Sequence, residues 1–197
     1  GGGPGDNSNR YLSLCELLSA DFSCILVDQR GTGKSYPETY DASTLSIDLT
    51  LDDFEAIRKE LGLETWHVLG FSYGGYLSSL YAHFFPASVD TLILLDSMGL
   101  NTAAFGHFMD NIFSGMSEED KLKYEFWDDA DRKAADPNHA LVERIRAMMP
   151  GYFYDREAAL LVTETMTDAD FNFELGNYIW PEIDKRNLDL TVMEPVF

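Results

Sequence analysis

The first 98 residues alternate between continuously apolar runs and apolar positions at helical spacing. Apolar runs occur at 24–27, 66–69 and 89–95. Runs of this length predict buried strands of a parallel sheet, whose two faces are both covered. Helical spacing occurs at 9–20, 46–61 and 73–85. Gly62 follows the second of these segments, as a helix C-terminal cap would. Strands and helices in turn, with short connections, predict an α/β fold with a parallel sheet and flanking helices.

The pattern changes after Asp96. Residues 99–190 carry no further Val/Ile-rich run and show short helical segments with breaks at Pro137, Pro150 and Pro181. This part is predicted to be all-helical. Ser117 and Asp120 have the spacing of a capping box, which predicts a helix from there to about residue 134. Asp155 is a candidate N-cap for a helix over 156–166.

Composition and charge exclude several classes of partner. The chain has 197 residues, of which 45% are hydrophobic, enough for the core of an ordinary globular domain. Its formal net charge of −20 disfavours nucleic acid and anionic membrane surfaces. The sequence contains no run of about 18 apolar residues that would predict a membrane span, and its Gly-rich start is unlike a secretory signal, so a cytoplasmic protein is expected.

Cysteines and histidines give no sign of a metal or cofactor. Cys15 and Cys24 are too few for a disulfide framework or a zinc site and fall in apolar runs, so buried thiols are expected. The histidines have no ligand spacing; they are His67, His83, His107 and His139. We therefore expect neither a cofactor nor a metal.

The strongest chemical signal is Gly70-Phe71-Ser72-Tyr73-Gly74, which lies between a predicted strand and a predicted helix. A G-x-S-x-G in this context is typical of a nucleophile elbow, where a strained turn exposes the serine and the next backbone N–H faces the developing oxyanion. The alternative is a turn of small residues that packs a helix on a sheet. Ser72 is the candidate nucleophile, and Tyr73 is a candidate oxyanion donor.

Gly33-Lys34-Ser35 also fits the end of a phosphate-binding P-loop. The first glycine of that motif would fall at position 28, which is Asp28, and a carboxylate there would repel phosphates. The following Tyr36-Pro37 does not open a helix immediately. An NTPase is therefore disfavoured.

Two further motifs complete a family pattern. Gly1-Gly2-Gly3-Pro4-Gly5 precedes the first helix, and Asp28-Gln29-Arg30-Gly31-Thr32-Gly33-Lys34-Ser35 follows the first apolar run. Together with the elbow, they resemble the proline iminopeptidase family of α/β-hydrolases, whose pattern is H-G-G-P-G, D-Q-R-G-x-G-x-S and G-x-S-x-G. The resemblance covers residues 1–98. Gly1 departs from the family's histidine, and the elbow has the more common hydrolase form.

The resemblance implies an α/β-hydrolase core over 1–98, a helical cap over 99–190 and a return toward the core over 191–197. It implies that Ser72 forms an acyl-enzyme while backbone N–H groups of Gly2, Gly3 and Tyr73 hold the oxyanion. The expected substrate is a short peptide that loses its N-terminal residue, typically proline, or another small acyl compound. In the family, cap carboxylates grip the free amine; acids available here are Glu164, Asp168, Asp170 and Glu174.

A triad also needs an acid and a histidine, in the chain order Ser, Asp/Glu, His. By the resemblance, both are expected beyond residue 197, and three strands are expected before Gly1, one of which belongs between the strands at 24–27 and 66–69. The sequence is therefore interpreted as a fragment that is neither stable nor catalytic alone. An esterase, lactonase or amidase of the same fold, and an inactive hydrolase-like protein, remain alternatives.

Overall fold

The structure is a computed structural model that describes residues 1–101, 105–186 and 189–192, without the side chains of 105 and 106. It divides into two compact units: Gly1–Thr102 with Glu174–Phe197, and Ala103–Phe173. These boundaries differ from the predicted 99–190 cap, because the helical residues from Glu174 onward group with the first unit. The reason is burial: Leu175, Ile179 and Ile183 lie in the first unit's core.

The first unit contains a parallel two-stranded sheet with a helical crossover. Its regular elements are α1 (Leu12–Leu18), α2 (Ile47–Glu60), β1 (Trp66–Phe71), α3 (Tyr73–Phe84), β2 (Val89–Leu95) and α9 (Phe173–Arg186), with short 3₁₀ turns at Ser8–Tyr11 and Pro86–Ser88. β1 and β2 pair in parallel, and Phe71 lies opposite Leu95 at their carboxyl ends. The predicted α/β order is thereby confirmed for this part of the chain.

The core of this unit forms around α3. Tyr73, Tyr76, Leu80 and Tyr81 are almost fully buried there. They pack with apolar residues of α2 and α9 in one cluster. Ser46 caps α2 by accepting a hydrogen bond from the N–H of Leu49 at 3.2 Å, and Gly62 follows the helix with φ +68°. Both helix ends therefore form as the sequence predicts.

The prediction of a strand at 24–27 is wrong for the structure described. These residues have no strand assignment, and β1 and β2 are the only paired strands among the described residues. A strand needs hydrogen bonds to a neighbour, and none of the described segments pairs with this one. Cys24 is consequently exposed and Cys15 half-buried, contrary to the expected buried thiols. The predicted first helix forms as α1, but Leu17 is 77% exposed.

The second unit consists of helices in its described part: α4 (Phe105–Gly115), α5 (Glu118–Asp128), α6 (Ala130–Ala135), α7 (Pro137–Tyr152) and α8 (Arg156–Glu164), with a 3₁₀ turn at Asp168–Asp170. The capping box of Ser117 and Asp120 is confirmed, and Asp155 caps α8 through the N–H groups of Glu157 and Ala158. No described helix is both long and apolar enough to cross a membrane.

Two predictions about helix breaks are wrong. Pro150 and Pro181 lie inside α7 and α9. Pro150 is close to the end of its helix, whereas around Pro181 the buried Ile179 and Ile183 maintain the helix despite the missing N–H. Conversely, the single helix predicted from Ser117 to about residue 134 is divided at Asp129, whose ψ of 137° and capping side chain end one helix and begin another.

Candidate active site

Ser72 occupies a strained turn between β1 and α3. Its φ of +52° is in the left-handed region, which a residue with a Cβ rarely adopts. Such a conformation costs about 1–3 kcal/mol and persists only where the surrounding structure imposes it. The sharp turn at the end of a strand and the start of a helix is the geometry expected of a nucleophile elbow.

Close backbone contacts around the turn explain its glycines. A Cβ built on Gly70 would lie 2.2 Å from the carbonyl oxygen of Gly74 and 2.5 Å from Ser78 Oγ. A Cβ built on Gly74 would lie 2.5 Å from the carbonyl oxygen of Gly1. Only glycine fits at these positions without a shift of backbone atoms. The N-terminal glycine loop therefore packs directly on the elbow.

The segment after β2 holds the elbow from the other side. The N–H of Ser72 donates to the carbonyl oxygen of Leu95 at 3.1 Å, and the N–H of Met98 donates to the carbonyl oxygen of Ser72 at 3.0 Å. Both backbone groups of Ser72 are thus bonded to residues 95–98. Within that segment, Asp96 also has a left-handed backbone, with φ +42°.

Gly2 lies beside Ser72, but its N–H is already bonded. A Cβ built on Gly2 would lie 3.4 Å from Ser72 Cβ. The Gly2 N–H donates to Asp6 Oδ2 at 3.1 Å and to the Tyr11 hydroxyl at 2.9 Å, and that hydroxyl donates to the same carboxylate oxygen at 3.0 Å. The expectation that Gly2 donates to an oxyanion therefore does not agree with this loop conformation.

Gly3 and Tyr73 retain unbonded N–H groups in the part of the chain that the structure describes. Gly3 uses its carbonyl oxygen to accept a 3.4 Å hydrogen bond from the N–H of Asp6. Tyr73 is the first residue of α3, where backbone N–H groups have no partner within the helix. Both groups are available to an anionic oxygen, and the positive end of the α3 dipole adds to that preference.

Burial distinguishes Asp6 from an ordinary surface carboxylate. It is only 3% exposed, and burial raises its pKa above the usual range, although Arg10, Tyr11 and Gly2 act in the opposite direction. Its second oxygen, Oδ1, has no hydrogen-bond partner among the described residues and lies 3.8 Å from the Arg10 guanidinium. The carboxylate is held where it fixes the glycine loop.

Asp28 connects the loop motif to the D-Q-R-G-x-G-x-S motif. It accepts hydrogen bonds from the Ser8 N–H at 2.9 Å, the Ser8 hydroxyl at 2.7 Å and the Lys34 N–H at 3.0 Å. Burial works to raise the pKa of Asp28, but these bonds outweigh it and the pKa is lowered. The Lys34 N–H, which a P-loop would turn toward phosphate, is bonded to a carboxylate in this loop.

The described histidines of the first unit lie away from Ser72 along their elements. His67 is near the amino end of β1 and pairs with Asp90 at 3.0 Å, whereas Ser72 follows the carboxyl end of that strand. His83 is in the last turn of α3, while Ser72 precedes the first turn. Neither is placed to take the serine proton.

The acids considered for amine recognition belong to two different units of the chain. In the second unit, Asp168 pairs with His139 at 3.1 Å and Asp170 accepts hydrogen bonds from Thr167 in a capping box. Glu164 ends α8, and Glu174 belongs to the first unit. Asp168 and Asp170 already have local partners.

Sequence reasoning missed Asp6, Tyr11 and Asp96. Asp6 directly follows the glycine motif and Tyr11 lies five residues further on; their bonds to Gly2 depend on the chain turning back over four and nine residues. Asp96 could have been found from its position, because it is the first residue after a predicted strand beside the elbow strand. Its backbone conformation carries no signal in the sequence.

Comparisons with known proteins agree with this geometry. The sequence pattern of the alpha/beta hydrolase fold matches residues 1–163. The serine hydrolase-like protein of Danio rerio is 22% identical over 188 residues, covering 91% of this chain and 56% of that protein. A proline iminopeptidase of Lactobacillus helveticus is 35% identical over 104 residues, covering 49% of this chain and 34% of that protein. The chain thus spans about a third to a half of these relatives.

Solved structures show the same fold at low identity. An epoxide hydrolase from Bacillus megaterium superposes with a TM-score of 0.56 at 18% identity, covering 90% of this chain and 62% of its own. The proline iminopeptidase of Mycobacterium smegmatis superposes with a TM-score of 0.58 at 22% identity, covering 86% of this chain and 57% of its own. With the elbow at Ser72 and the match over most of its length, the chain belongs to the α/β-hydrolase fold family.

Proposed function

We propose that the full-length protein is a serine hydrolase in which Ser72 forms an acyl-enzyme. The observation that carries this proposal is the left-handed Ser72 at the start of α3, with the unbonded N–H of Tyr73 after it and the Gly2–Gly3 loop beside it. Gly3 and Tyr73 are the proposed oxyanion donors, because the N–H of Gly2 is bonded to Asp6 and Tyr11.

The chemistry follows from this arrangement. Ser72 Oγ bonds to the substrate carbonyl carbon as a base takes its proton, and the carbonyl oxygen becomes an oxyanion that two N–H groups stabilise. The leaving group then departs with that proton. Water releases the acyl group by the same steps in reverse. The base is proposed to be a histidine that lies elsewhere in the full-length protein.

The substrate class is proposed to be a short peptide with a free N-terminus, cleaved as an aminopeptidase would. Support comes from the ordered motifs in residues 1–98 and from the proline iminopeptidase that is 35% identical over 104 residues. The more common form of the elbow favours an esterase or amidase of the same fold as the second candidate.

Labelling with a fluorophosphonate probe tests the nucleophile. The full-length protein should be labelled, and Ser72→Ala should abolish the label. Ser79→Ala is the matched control: it lies on α3, and its hydroxyl bonds only to the Gly75 carbonyl oxygen in the described structure. Labelling that persists in Ser72→Ala, or an unlabelled wild-type protein, would contradict the proposal.

Competing substrates test the specificity. An aminopeptidase should release the first residue of a free peptide and refuse the N-acetylated form. Equal turnover of blocked and free peptides excludes recognition of the amine. Rapid hydrolysis of an aryl ester with no amide turnover favours the esterase.

A further inference from the structure

Cys15 and Cys24 lie beside each other across the turn that follows α1. Cys15 is in the middle of that helix. The N–H groups of Asp21 and Phe22 donate to the Leu18 carbonyl oxygen at 3.1 and 3.0 Å, so the chain turns tightly after the helix. Cys24 Sγ then comes within 3.7 Å of the Cys15 carbonyl oxygen. The turn thus brings the two cysteines of the sequence together.

The two thiols also interact with each other. Burial, and after it the hydrogen bond with the Cys24 thiol and the charge of that thiol, raise the pKa of Cys15. A disulfide needs two sulfurs about 2.0 Å apart and two Cβ atoms about 3.8 Å apart. Thiols that already share a hydrogen bond reach this geometry through small side-chain rotations. The contact is therefore one from which an S–S bond can form.

Exposure makes the pair accessible to a small oxidant. Cys24 is exposed and Cys15 is half-buried. Oxidation of a cysteine depends on solvent access and, for a reversible product, on a second thiol close by that displaces the first oxidation product. Cys24 meets the first condition and Cys15 meets the second. Neither residue takes part in the proposed acyl transfer, so the pair is a separate site.

We propose that Cys15 and Cys24 are a reversible oxidation site, which forms a disulfide when the protein meets hydrogen peroxide. The Cys24 thiolate attacks one peroxide oxygen: an S–O bond forms, the O–O bond breaks, and hydroxide leaves and is protonated to water. The Cys15 thiolate then attacks the Cys24 sulfur: the S–S bond forms, the S–O bond breaks, and the released hydroxide takes up a proton. The two thiols lose two electrons and two protons, and peroxide is reduced to two water molecules.

The disulfide would join α1 to the segment that carries Asp28. No residue of α1 is buried, so few packing contacts hold this helix. Before the helix, the Ser8 N–H and hydroxyl already bond to Asp28 at 2.9 and 2.7 Å. The S–S bond would close the same stretch of chain nearer the turn, and such a bond removes conformational freedom from the unfolded chain. Oxidation should therefore raise the unfolding temperature by roughly 5 °C.

Mass spectrometry of the full-length protein tests the bond. Trypsin cleaves after Arg10 and Arg30, and no Lys or Arg lies between them, so both cysteines fall in peptide 11–30. Reduced protein is treated with hydrogen peroxide, quenched with catalase and alkylated with N-ethylmaleimide before digestion. The peptide should be lighter by two hydrogen atoms and free of maleimide. Dithiothreitol should restore both thiols to alkylation.

Serine variants identify the role of each thiol. In Cys15→Ser, the sulfenic acid of Cys24 has no partner and should be trapped by dimedone, whereas wild type should trap little. Cys24→Ser should give neither the disulfide nor a dimedone adduct at Cys15. Peroxide should leave the unfolding temperature of Cys15→Ser close to its value before treatment.

The rate of bond formation shows whether the fold brings the thiols together. The folded protein should form the bond on the order of tenfold faster than the protein in urea, because folding holds the two sulfurs in contact. Equal or slower formation in the folded state overturns the inference. A peptide 11–30 that keeps both thiols after peroxide, or carries only sulfinic or sulfonic acid, also overturns it. None of these readouts uses Ser72, so they leave the serine hydrolase proposal to its own test.

Discussion

The backbone N–H of Gly2 donates a hydrogen bond to the buried carboxylate of Asp6 at 3.1 Å. This bond closes a tight loop over four residues, and the Tyr11 hydroxyl bonds to both partners. The loop packs against Phe71 and Ser72, since a Cβ on Gly2 would come within 3.1 Å of the Phe71 ring. Asp6 thereby fixes the peptide that precedes Gly3, the proposed oxyanion donor.

Removal of the Asp6 carboxylate should loosen this loop. In Asp6→Ala the Tyr11 hydroxyl loses its acceptor, and the Gly2 N–H loses one of its two. We expect a loss of about 1–3 kcal/mol in the free energy of unfolding, the cost of a buried polar group left unpaired. Labelling of Ser72 should slow roughly 10²-fold, as when one oxyanion donor is misplaced. Urea unfolding and labelling rates measure the two effects.

Asp6→Asn is the matched control for that change. The amide oxygen can accept from both Gly2 and Tyr11, so labelling should stay close to the wild-type rate. If Asp6→Ala also labels at the wild-type rate, the loop does not depend on this carboxylate.

Wild type and Asp6→Asn should also differ in how their stability depends on pH. Burial raises the pKa of Asp6 above the value of about 3.9 in the unfolded chain. A carboxyl whose pKa is raised by folding stabilises the protein below its unfolded pKa, and this contribution is lost as pH rises through the folded pKa. The free energy of unfolding of Asp6→Asn minus that of wild type should therefore increase with pH above about 4 and then level off.

Urea unfolding of both proteins at several values between pH 4 and pH 7 measures this difference. A difference that is flat or that falls with pH contradicts the raised pKa. The comparison isolates Asp6, since all other carboxylates are common to both proteins.

The sequence signals that proved sufficient were local ones. Apolar runs and helical spacing located β1, β2, α2 and α3 within two residues, because each has a cap or a turn beside it. Residues 24–27 carry the same apolar signal but form no strand, since a strand depends on a partner elsewhere in the chain. The helix predicted from Ser117 is divided at Asp129 because the Asp129 side chain accepts hydrogen bonds from the N–H groups of Asp131 and Arg132 and so caps a new helix.

The same distinction applies to the candidate site. Ser72 and Tyr73 were predictable because the elbow is a contiguous motif with a required context. The hydrogen bonds from the Gly2 N–H to Asp6 and Tyr11 were not predictable, because the conformation of the loop brings these side chains to the backbone of Gly2. The left-handed φ of Asp96 likewise follows from bonds that residues 95 and 98 make to Ser72.

The elbow should tolerate no side chain at Gly70. In Gly70→Ala the new methyl group would lie 2.2 Å from the Gly74 carbonyl oxygen, so the backbone of the turn would have to shift. We expect a protein that loses several kcal/mol of stability and is not labelled at Ser72. Gly176→Ala is the control, and it should increase stability. Its Cβ would make an ordinary 3.4 Å contact with Trp180. Alanine in a helix interior is more stable than glycine by about 1 kcal/mol.

Thermal unfolding of the two glycine variants provides the measurement. Gly176→Ala should unfold at a higher temperature than wild type, and Gly70→Ala at a lower one. Equal stability of Gly70→Ala and wild type would show that the turn relaxes without cost.

Glu55 on α2 binds Tyr81 near the carboxyl end of α3, at the end opposite to Ser72. Its Oε2 accepts a 2.7 Å hydrogen bond from the Tyr81 hydroxyl, and its carboxylate pairs with Arg58 at 2.6 Å. The bond from Arg58 is the main cause that lowers the pKa of Glu55. The pKa of Tyr81 is raised to about 12, mainly by burial and then by the hydrogen bond to Glu55 and its negative charge. Loss of the carboxylate would leave the buried Tyr81 hydroxyl and the half-buried Arg58 guanidinium without this acceptor.

Glu55→Ala should therefore reduce the free energy of unfolding by about 1–3 kcal/mol at pH 7. Because folding lowers the pKa of Glu55, its contribution is full above the unfolded value of about 4.3 and is lost as pH falls toward the folded pKa. The gap between wild type and Glu55→Ala in urea unfolding should thus narrow from pH 7 to pH 3. Glu60→Ala, exposed on the last turn of α2, should remain within about 0.5 kcal/mol of wild type. A gap that stays constant or widens on acidification would contradict a lowered pKa of Glu55.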